Sequence, residues 1–182
     1  GTVNPRVFID RLAKKMPANV TVVADVGQNQ IWTCTEYKFR KEGRLLTSGG
    51  MGTMGYSVPA AIGAKMADNS RATVAICGDG AFQMSFMELA TAVQFGVDIK
   101  VVVMTNNRLG MVRELQTNGY HDRQTAVFLD GSPDFIKLAE AYGIPAMRVY
   151  DDDTMEKGVE MLAEHKGICL VEVVVDKDMP TL

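Results

Sequence analysis

A chain of 182 residues, 47% hydrophobic and 23% charged, is long enough to bury the core of one globular domain. Its formal net charge of −3 leaves no broad basic surface, and no apolar stretch reaches the length of a membrane span or resembles a signal peptide. We therefore expect no nucleic-acid partner, no membrane association and a cytoplasmic location.

Apolar runs alternate with amphipathic segments through the first half of the chain. Each run ends in polar or glycine residues, which mark turns. In chain order we expect a helix opened by Asn4 and Pro5, a buried strand from Val20 to Val26, a helix from Ile31 to Phe39, a charged surface link from Lys38 to Arg44, a glycine-rich segment from Ser48 to Tyr56 and a helix from Val58 to Met66.

The second half continues the alternation, and strands separated by helical segments indicate parallel pairing. We therefore predict one domain, 1–182, with an α/β three-layer sandwich fold and a mostly parallel sheet of about five or six strands. The expected elements are a strand from Thr73 to Cys77, a helix with a Ser85–Glu88 capping box that ends at Gly96, a strand from Ile99 to Met104, a mobile loop from Thr117 to Thr125, a helix from Asp134 to Tyr142, a strand from Ala146 to Val149, a helix from Thr154 to His165, a strand from Ile168 to Val175 and a frayed tail from Asp176 to Leu182.

The cysteines and histidines do not form a recognisable metal or disulfide pattern. Cys34, Cys77 and Cys169 are scattered without a CxxC pair, and His121 and His165 are the only histidines. This usage favours free thiols in a reducing compartment over disulfides or a zinc site.

Two predicted strands end in residues that suit a metal-bound diphosphate. Asp79 follows the strand that ends at Cys77, and Asn106 follows the next strand. Because parallel strands place their carboxyl ends at one edge of a sheet, both side chains offer oxygen ligands at that edge. Magnesium binds a few such oxygens and takes the rest from water and phosphate, and Gly80 lets the backbone approach an anion closely.

Two further segments indicate a ligand site. Asp25-Val26-Gly27-Gln28 ends the first predicted strand, either as a turn with a helix cap or as the acidic-glycine loop of a nucleotide-binding strand, although the Gly-x-Gly-x-x-Gly fingerprint is missing. The glycine-rich segment from Ser48 to Tyr56 is either a flexible surface loop or a backbone that touches a ligand.

Together these stretches resemble the C-terminal thiamin-diphosphate-binding domain of the acetolactate synthase (acetohydroxyacid synthase) family. The resemblance covers residues 3–176. It depends on the Asp25 to Gln28 stretch, the Ser48 to Ala64 stretch, the Gly78 to Met84 stretch followed by Asn106-Asn107, and Leu109-Gly110-Met111-Val112.

The resemblance implies thiamin diphosphate and Mg²⁺ as cofactors. Asp79, the Asn106 side chain and the Arg108 carbonyl would bind the metal, with Asn107 and the Leu109 carbonyl as the alternative. Gln28 and Asn29 would hold the outer diphosphate oxygens. The remaining cofactor-binding positions would be Gly52, whose carbonyl accepts from the pyrimidine amino group, Met54 beneath the bent cofactor, Gly78, Gly80, Ala81, Gly110 and Met111.

The implied activity decarboxylates pyruvate and ligates the hydroxyethyl carbanion to a second 2-ketoacid, in branched-chain amino acid biosynthesis. Two positions depart from the family: Asn29 replaces a frequent His, and Leu115 replaces a Trp linked to 2-ketobutyrate preference. The family's activating glutamate comes from an N-terminal pyrimidine-binding domain, and Glu36, Glu88 and Glu114 are better interpreted as solvated or capping residues. We therefore expect no catalytic residue in this chain and no activity from it alone.

The resemblance also implies partners: an N-terminal pyrimidine-binding domain of the same or a partner subunit, a homodimer or larger assembly, and a regulatory subunit. FAD is compatible with the full-length enzyme but would not be bound by this domain, and the sequence does not reveal a flavin requirement. Two alternatives stay open. One is a β-type subunit of a split thiamin-dependent 2-oxoacid decarboxylase, and the other is a non-catalytic nucleotide-binding or interaction module.

Overall fold

The computed structural model describes all residues, 1–182, as one six-stranded parallel sheet between two layers of helices. The predicted α/β three-layer fold is confirmed. The strands are β1 (Thr21–Ala24), β2 (Arg44–Thr47), β3 (Thr73–Gly78), β4 (Lys100–Thr105), β5 (Ala146–Val149) and β6 (Cys169–Val174). The helices are α1 (Pro5–Lys15), α2 (Gln28–Glu36), α3 (Ser57–Ala67), α4 (Asp79–Gln83), α5 (Leu89–Gln94), α6 (Gly110–Gly119), α7 (Phe135–Ala141) and α8 (Asp152–Glu164).

The strands bury both of their faces, which is why their sequences are nearly continuous apolar runs. In β3, Val74 and Ile76 belong to the core on the side of α1, α2 and α8. The alternate residues Ala75 and Cys77 belong to the second core, with α3, α4, α5 and α7. This two-residue period divides the hydrophobic core into two layers, one on each face of the sheet.

The strand order is β2-β1-β3-β4-β6-β5, so the chain leaves β1 in one direction and β3 in the other. Open parallel sheets bind ligands beyond the carboxyl ends of the strands at such a point of reversal. The segments that follow β1 and β3 begin at Asp25 and Asp79. Topology therefore places the two predicted motifs side by side.

Two predicted segments differ from the structure in the first half of the chain. The link from Lys38 to Arg44 ends in an unpredicted edge strand, β2, which pairs in parallel with β1 from Arg44 to Thr47. Its short sequence lacks a β-branched run, so its strand conformation depends on pairing with β1. Helix α2 begins at Gln28, three residues before the predicted start at Ile31, directly after Gly27 with its positive φ of 132°.

The predicted Ser85–Glu88 capping box is wrong. Ser85 makes no capping hydrogen bond, residues Phe86–Glu88 form a 3-10 turn, and α5 starts only at Leu89. The Glu88 carboxylate instead accepts a hydrogen bond from the Thr91 hydroxyl at 3.2 Å. The spacing of the motif is present, but the chain turns too tightly there for a regular α-helical first turn.

The polar segments near the C-terminus are more ordered than predicted. Helix α6 continues to Gly119, so the first residues of the expected loop from Thr117 to Thr125 are helical, and Thr117 donates to Asp122 at 2.8 Å. The tail from Asp176 to Leu182 is not frayed, since Thr181 is only 9% exposed and bonds to three separate helices. No helix of the structure has both the length and the apolar character that a membrane span requires.

Candidate cofactor site

The Asp79 carboxylate joins the ends of β3 and β4. These neighbouring strands pair through Gly78 and Met104, which brings the segments that follow them together. The Oδ2 atom of Asp79 accepts from the backbone N–H groups of Asn106 at 3.2 Å and Asn107 at 2.7 Å. Its Oδ1 atom accepts from the Gly80 N–H at 2.8 Å, and the residue is 1% exposed.

Asp79 is a buried carboxylate without a cationic side chain beside it. Burial raises its pKa to about 6, while the three backbone N–H donors act in the opposite direction and no Lys or Arg contributes. A buried negative charge of this kind is costly unless a cation compensates it. No group of three or more His, Cys, Asp or Glu side chains is positioned to hold a metal ion. A metal here would need amide, carbonyl and non-protein oxygens, which is the ligand set that magnesium accepts.

Asn106 presents both ends of its amide to defined partners. Its Nδ2 donates to Gln28 Oε1 at 3.1 Å, and its Oδ1 accepts from the backbone N–H of Arg108 at 3.1 Å. Asn107 adopts a left-handed conformation with φ of 54°, and its carbonyl accepts from the Leu129 N–H at 2.9 Å. Asn106 lines the cavity described below, and Asn107 does not.

Any side chain at the first residue of α6 would collide with Gln28 in its observed position. A Cβ atom on Gly110 would lie 1.8 Å from Gln28 Oε1, so the amide of Gln28 occupies the space of the missing side chain. The N-terminus of α6 can therefore approach α2 closely. Gly80 is similarly confined, with its hypothetical Cβ 2.7 Å from a methyl carbon of Leu109 and 3.3 Å from Met54 Cε.

A cavity of about 110 Å³ opens at this edge of the sheet. Its wall is part polar and part apolar, with Trp32 and Met104 among the apolar residues. Of the predicted site residues, only Gly52 lies outside the wall. The structure brings together Gln28, Asn29, Met54, Gly78, Asp79, Gly80, Ala81, Asn106, Arg108, Gly110 and Met111.

Two of the predicted diphosphate contacts are already used by the protein itself. Both N–H groups of the Asn29 amide donate to carbonyls, those of Asp25 at 2.8 Å and Ile76 at 3.2 Å. The Gln28 Nε2 donates to the carbonyl of Met179 at 2.8 Å and to the hydroxyl of Thr181 at 3.1 Å. In this arrangement Asn29 offers the cavity only an acceptor oxygen, so its predicted phosphate contact stays a prediction that the geometry does not favour.

Asp25 has a role that sequence reasoning missed. Its fully buried carboxylate accepts from the backbone N–H groups of Gly55 at 3.1 Å and Ser57 at 2.8 Å, as well as from Val26 at 2.8 Å. It therefore ties the glycine-rich segment to the end of β1 and places Met54 against Gly80. An acidic residue at a strand end followed by glycine was visible in the sequence, but its partner segment was not.

The three glutamates expected to be solvated or capping have structural partners. Glu36 pairs with Arg6 at 3.1 Å, and Glu88 accepts from Thr91. Glu114 accepts from the backbone N–H of Thr181 at 2.7 Å and from its hydroxyl, so it holds the tail and is not simply solvated. None of the three lines the cavity.

Comparison with known proteins gives a consistent result. Residues 25–173 match the family model described as "Thiamine pyrophosphate enzyme, C-terminal TPP binding domain". The chain is 39% identical over 185 residues to the mitochondrial acetolactate synthase catalytic subunit of Aspergillus candidus, covering 100% of this chain and 26% of that protein. It is 38% identical over 175 residues to the acetolactate synthase large subunit of Lactococcus lactis subsp. lactis (strain IL1403), covering 96% and 30% respectively.

A third relative extends the pattern. The large subunit of acetolactate synthase isozyme 2 from Escherichia coli (strain K12) is 34% identical over 171 residues, covering 94% of this chain and 31% of that protein. The chain thus spans between a quarter and a third of the length of these relatives.

Proposed function

Because the chain belongs to the thiamine pyrophosphate enzyme family, as its C-terminal TPP binding domain, we propose that it anchors thiamin diphosphate through a magnesium ion at the carboxyl edge of the sheet. The observation that supports the metal most directly is the Asp79 carboxylate, which is 1% exposed and has no basic side chain beside it. A divalent cation would compensate that charge.

Three protein oxygens would hold the ion: the Asp79 carboxylate, the Asn106 Oδ1 and the Arg108 carbonyl. Asn106 is favoured over Asn107 because it lines the cavity, whereas Asn107 does not. The diphosphate would supply the remaining ligands together with water. The alternative, Asn107 with the Leu109 carbonyl, would require the left-handed Asn107 to turn its side chain toward the cavity.

The diphosphate would lie among the glycines that line the cavity. Gly78, Gly80, Ala81, Gly110 and Met111 form its wall, and Gln28 borders it. The cavity volume of about 110 Å³ is smaller than the roughly 300–1,000 Å³ of complete ligand pockets. This size suits the diphosphate end of the cofactor, with the rest extending past Met54 toward Gly52 and a second domain.

When bound, thiamin diphosphate supplies the chemistry for decarboxylating a 2-ketoacid. The residues of this chain would bind and orient it: Met54 would support it from one side, and the Gly52 carbonyl would accept from its pyrimidine amino group. No carboxylate in the cavity wall other than Asp79 is available to activate the pyrimidine ring. We therefore place that activating group on an N-terminal pyrimidine-binding domain, in the same chain or in a partner subunit.

The whole-protein activity that we propose is acetolactate synthesis: two pyruvates give 2-acetolactate and carbon dioxide. The similarity to acetolactate synthase catalytic subunits supports it. We further propose a homodimer or larger assembly, with a regulatory subunit and FAD associated with the complete enzyme and not with these residues. Exposed apolar side chains on the surface support a covering partner, among them Met51, Met84, Met87, Phe95, Leu115 and Phe128.

Two other functions are distinguished by simple outcomes. A split 2-oxoacid decarboxylase would release a free aldehyde in place of a ligated acid when the chain is combined with its N-terminal domain. A nucleotide-binding or interaction module would bind its ligand without thiamin or magnesium.

Calorimetric titration of the complete enzyme, defined as these residues together with the N-terminal domain, tests the proposal. We expect thiamin diphosphate to bind only with Mg²⁺, and Asp79→Ala to lose this Mg²⁺-dependent binding. Binding that ignores magnesium, or an Asp79→Ala variant that behaves as the wild type, would exclude the metal-bridged site. Analytical ultracentrifugation tests the assembly, since a monomer at high concentration would contradict it.

The cytoplasmic location is also a proposal. The three free cysteines support a reducing compartment. Three fungal relatives carry the word mitochondrial in their names, and the bacterial relatives do not. Fractionation of cells that express the natural protein decides between these locations.

A further inference from the structure

The C-terminal tail, Asp176–Leu182, is hydrogen-bonded to α1 and to two helices, α2 and α6, that contribute residues to the cavity wall. The Pro180 carbonyl accepts from Trp32 Nε1 at 3.1 Å, and the Thr181 carbonyl accepts from an Arg6 guanidinium nitrogen at 2.7 Å. The Thr181 N–H donates to Glu114 at 2.7 Å. Helices α1, α2 and α6 thus all bond to a segment of two residues, although the segment has no regular structure of its own.

The tail also reaches the cavity through one side chain. Gln28, at the first position of α2 and 5% exposed, directs its Nε2 toward the Met179 carbonyl at 2.8 Å and the Thr181 hydroxyl at 3.1 Å. Its Oε1 faces the opposite way and accepts from Asn106 Nδ2 at 3.1 Å. Gln28 therefore connects the tail to the asparagine that we assign to the metal.

The chemistry of these partners determines the direction of every hydrogen bond in the series. The Met179 carbonyl can only accept, so Gln28 must turn its NH₂ group toward it. The Thr181 hydroxyl donates its single hydrogen to the Glu114 carboxylate, which leaves its lone pairs to accept from the same NH₂ group. The Met179 carbonyl and the Thr181 hydroxyl therefore select the same one of the two possible orientations of the Gln28 amide.

The same logic continues to Asn106. Because Gln28 presents its oxygen, Asn106 must present its NH₂ group to Gln28 and keep Oδ1 on the other side. That oxygen accepts from the Arg108 N–H at 3.1 Å and retains a second lone pair. If Gln28 were free to flip, only the Arg108 N–H would still hold Asn106 in this orientation. A flipped Asn106 would offer a cation an N–H donor, which cannot coordinate a metal.

We propose that the C-terminal tail is a positioning element for the metal site, in which Met179 and Thr181 orient Gln28, and Gln28 orients Asn106 so that its oxygen faces the cation. The inference rests on the proposed function, because it requires a divalent ion bound by Asp79 and Asn106. Groups that orient metal ligands in this way typically change metal affinity by about 10–100-fold when removed.

The series of hydrogen bonds from the tail through Gln28 to Asn106 is called the relay below. Direct measurement of metal binding tests it without relying on turnover. Mn²⁺ replaces Mg²⁺ as a paramagnetic probe, and electron paramagnetic resonance counts the free ion during titration of the complete enzyme at saturating thiamin diphosphate. The variants are Thr181→Val, which removes only the hydroxyl, Thr181→Ser, which restores it, and a deletion of residues 179–182. Urea unfolding of each variant without metal verifies that it folds.

We expect the deletion to weaken Mn²⁺ binding by about 10–100-fold, Thr181→Val to weaken it by about tenfold, and Thr181→Ser to remain within about twofold of the wild type. If the deletion and Thr181→Val both keep the Mn²⁺ affinity of the wild type, the relay is overturned. It is also overturned if Thr181→Val and Thr181→Ser weaken Mn²⁺ binding equally. Asp79→Ala is measured in parallel. If the wild type and Asp79→Ala bind Mn²⁺ equally, the proposed metal site itself fails, which is distinguishable from a failure of the relay alone.

Discussion

The backbone N–H of Asn107 donates a 2.7 Å hydrogen bond to the Asp79 carboxylate, and this bond links the carboxyl ends of two neighbouring strands. The carboxylate accepts two further backbone N–H groups and contacts no basic side chain. It combines a rigid position with an uncompensated charge. The buried Asp25 carboxylate also accepts three backbone N–H groups, but it does not line the cavity. Asp79 does line the cavity, where a divalent ion would have access to its charge, which is why we assign the compensation to such an ion.

Asp79→Asn should remove most of the metal affinity. The attraction between unit charges about 4 Å apart is about 4 kcal/mol at an effective dielectric constant of about 20, roughly a thousandfold in affinity. We therefore expect calorimetric Mg²⁺ binding in the presence of thiamin diphosphate to weaken by about two to three orders of magnitude. Asp153→Asn, which removes an exposed carboxylate on α8, is the matched control and should bind as the wild type. Equal affinity in both variants would rule out Asp79 as a ligand.

Gly110→Ala should disrupt the part of the cavity wall that is formed by the start of α6. The added methyl group would lie 1.8 Å from Gln28 Oε1 and 3.2 Å from Asn106 Nδ2, so the start of α6 must move or Gln28 must leave its position. Thiamin diphosphate binding, measured by equilibrium dialysis with Mg²⁺, should fall by at least about tenfold, because displaced supporting groups cost that much in metal sites.

Gly119→Ala provides the control within the same helix. Gly119 is the last residue of α6 and has no atom within 4 Å of its hypothetical Cβ. It should retain the cofactor affinity of the wild type. A Gly110→Ala variant that binds as well as Gly119→Ala would mean that the Gln28 position is not needed for the cofactor.

Strand ends were the part of the site that the sequence could predict. The run from Val101 to Met104 is apolar and β-branched until it stops at polar residues, so the positions of Asp79 and Asn106 follow from local pattern and parallel topology. Most of the other positions came from the family resemblance, and eleven of the twelve predicted residues line one cavity, with only Gly52 outside its wall.

Contacts between distant polar groups could not be predicted in this way. Nothing in the local sequence of Asp25 specifies that it accepts from Gly55 and Ser57, and nothing in the polar tail indicates that Thr181 would meet Gln28. Such bonds depend on the packing of elements far apart in the chain. Local motifs can also mislead. The Ser85–Glu88 spacing matches a capping box, but the chain forms a 3-10 turn there in place of the predicted helix start.

The three thiols should differ sharply in reactivity. Cys34 is exposed, whereas Cys77 and Cys169 are buried in the sheet. Burial raises the pKa of Cys169 to about 11 and that of Cys77 well above its ordinary value. Titration of the native chain with a chromogenic disulfide reagent at pH 8 should modify one of the three thiols, and denaturant should expose the other two. Rapid modification of more than one thiol in the native chain would contradict the buried positions.

The same burial predicts the direction of a pH effect on stability. The Cys169 thiol ionises near its ordinary pKa of 9.0 in the unfolded chain but only near about 11 in the folded chain. The unfolded state therefore releases a proton in this interval that the native state keeps, and the free energy of unfolding decreases as pH rises from about 9 toward 11. Cys169→Ala should reduce this loss when urea unfolding is followed across that pH range, whereas Cys34→Ala should leave it unchanged.

Two helical glycines should respond in opposite ways to alanine. A Cβ atom on Gly158, in α8, would lie 2.6 Å from a methyl carbon of Val149 and 3.3 Å from one of Val171, so overpacking should cost about 1–3 kcal/mol. Gly63, in α3, has no atom within 4 Å of its hypothetical Cβ, and alanine there should stabilise the chain by about 0.5–1 kcal/mol through helix propensity. Urea unfolding of the two variants under the same conditions measures both effects. Stabilisation by Gly158→Ala would mean that α8 can move away from β5 and β6 without loss, and the close packing between this helix and the sheet would then contribute little to the stability of the fold.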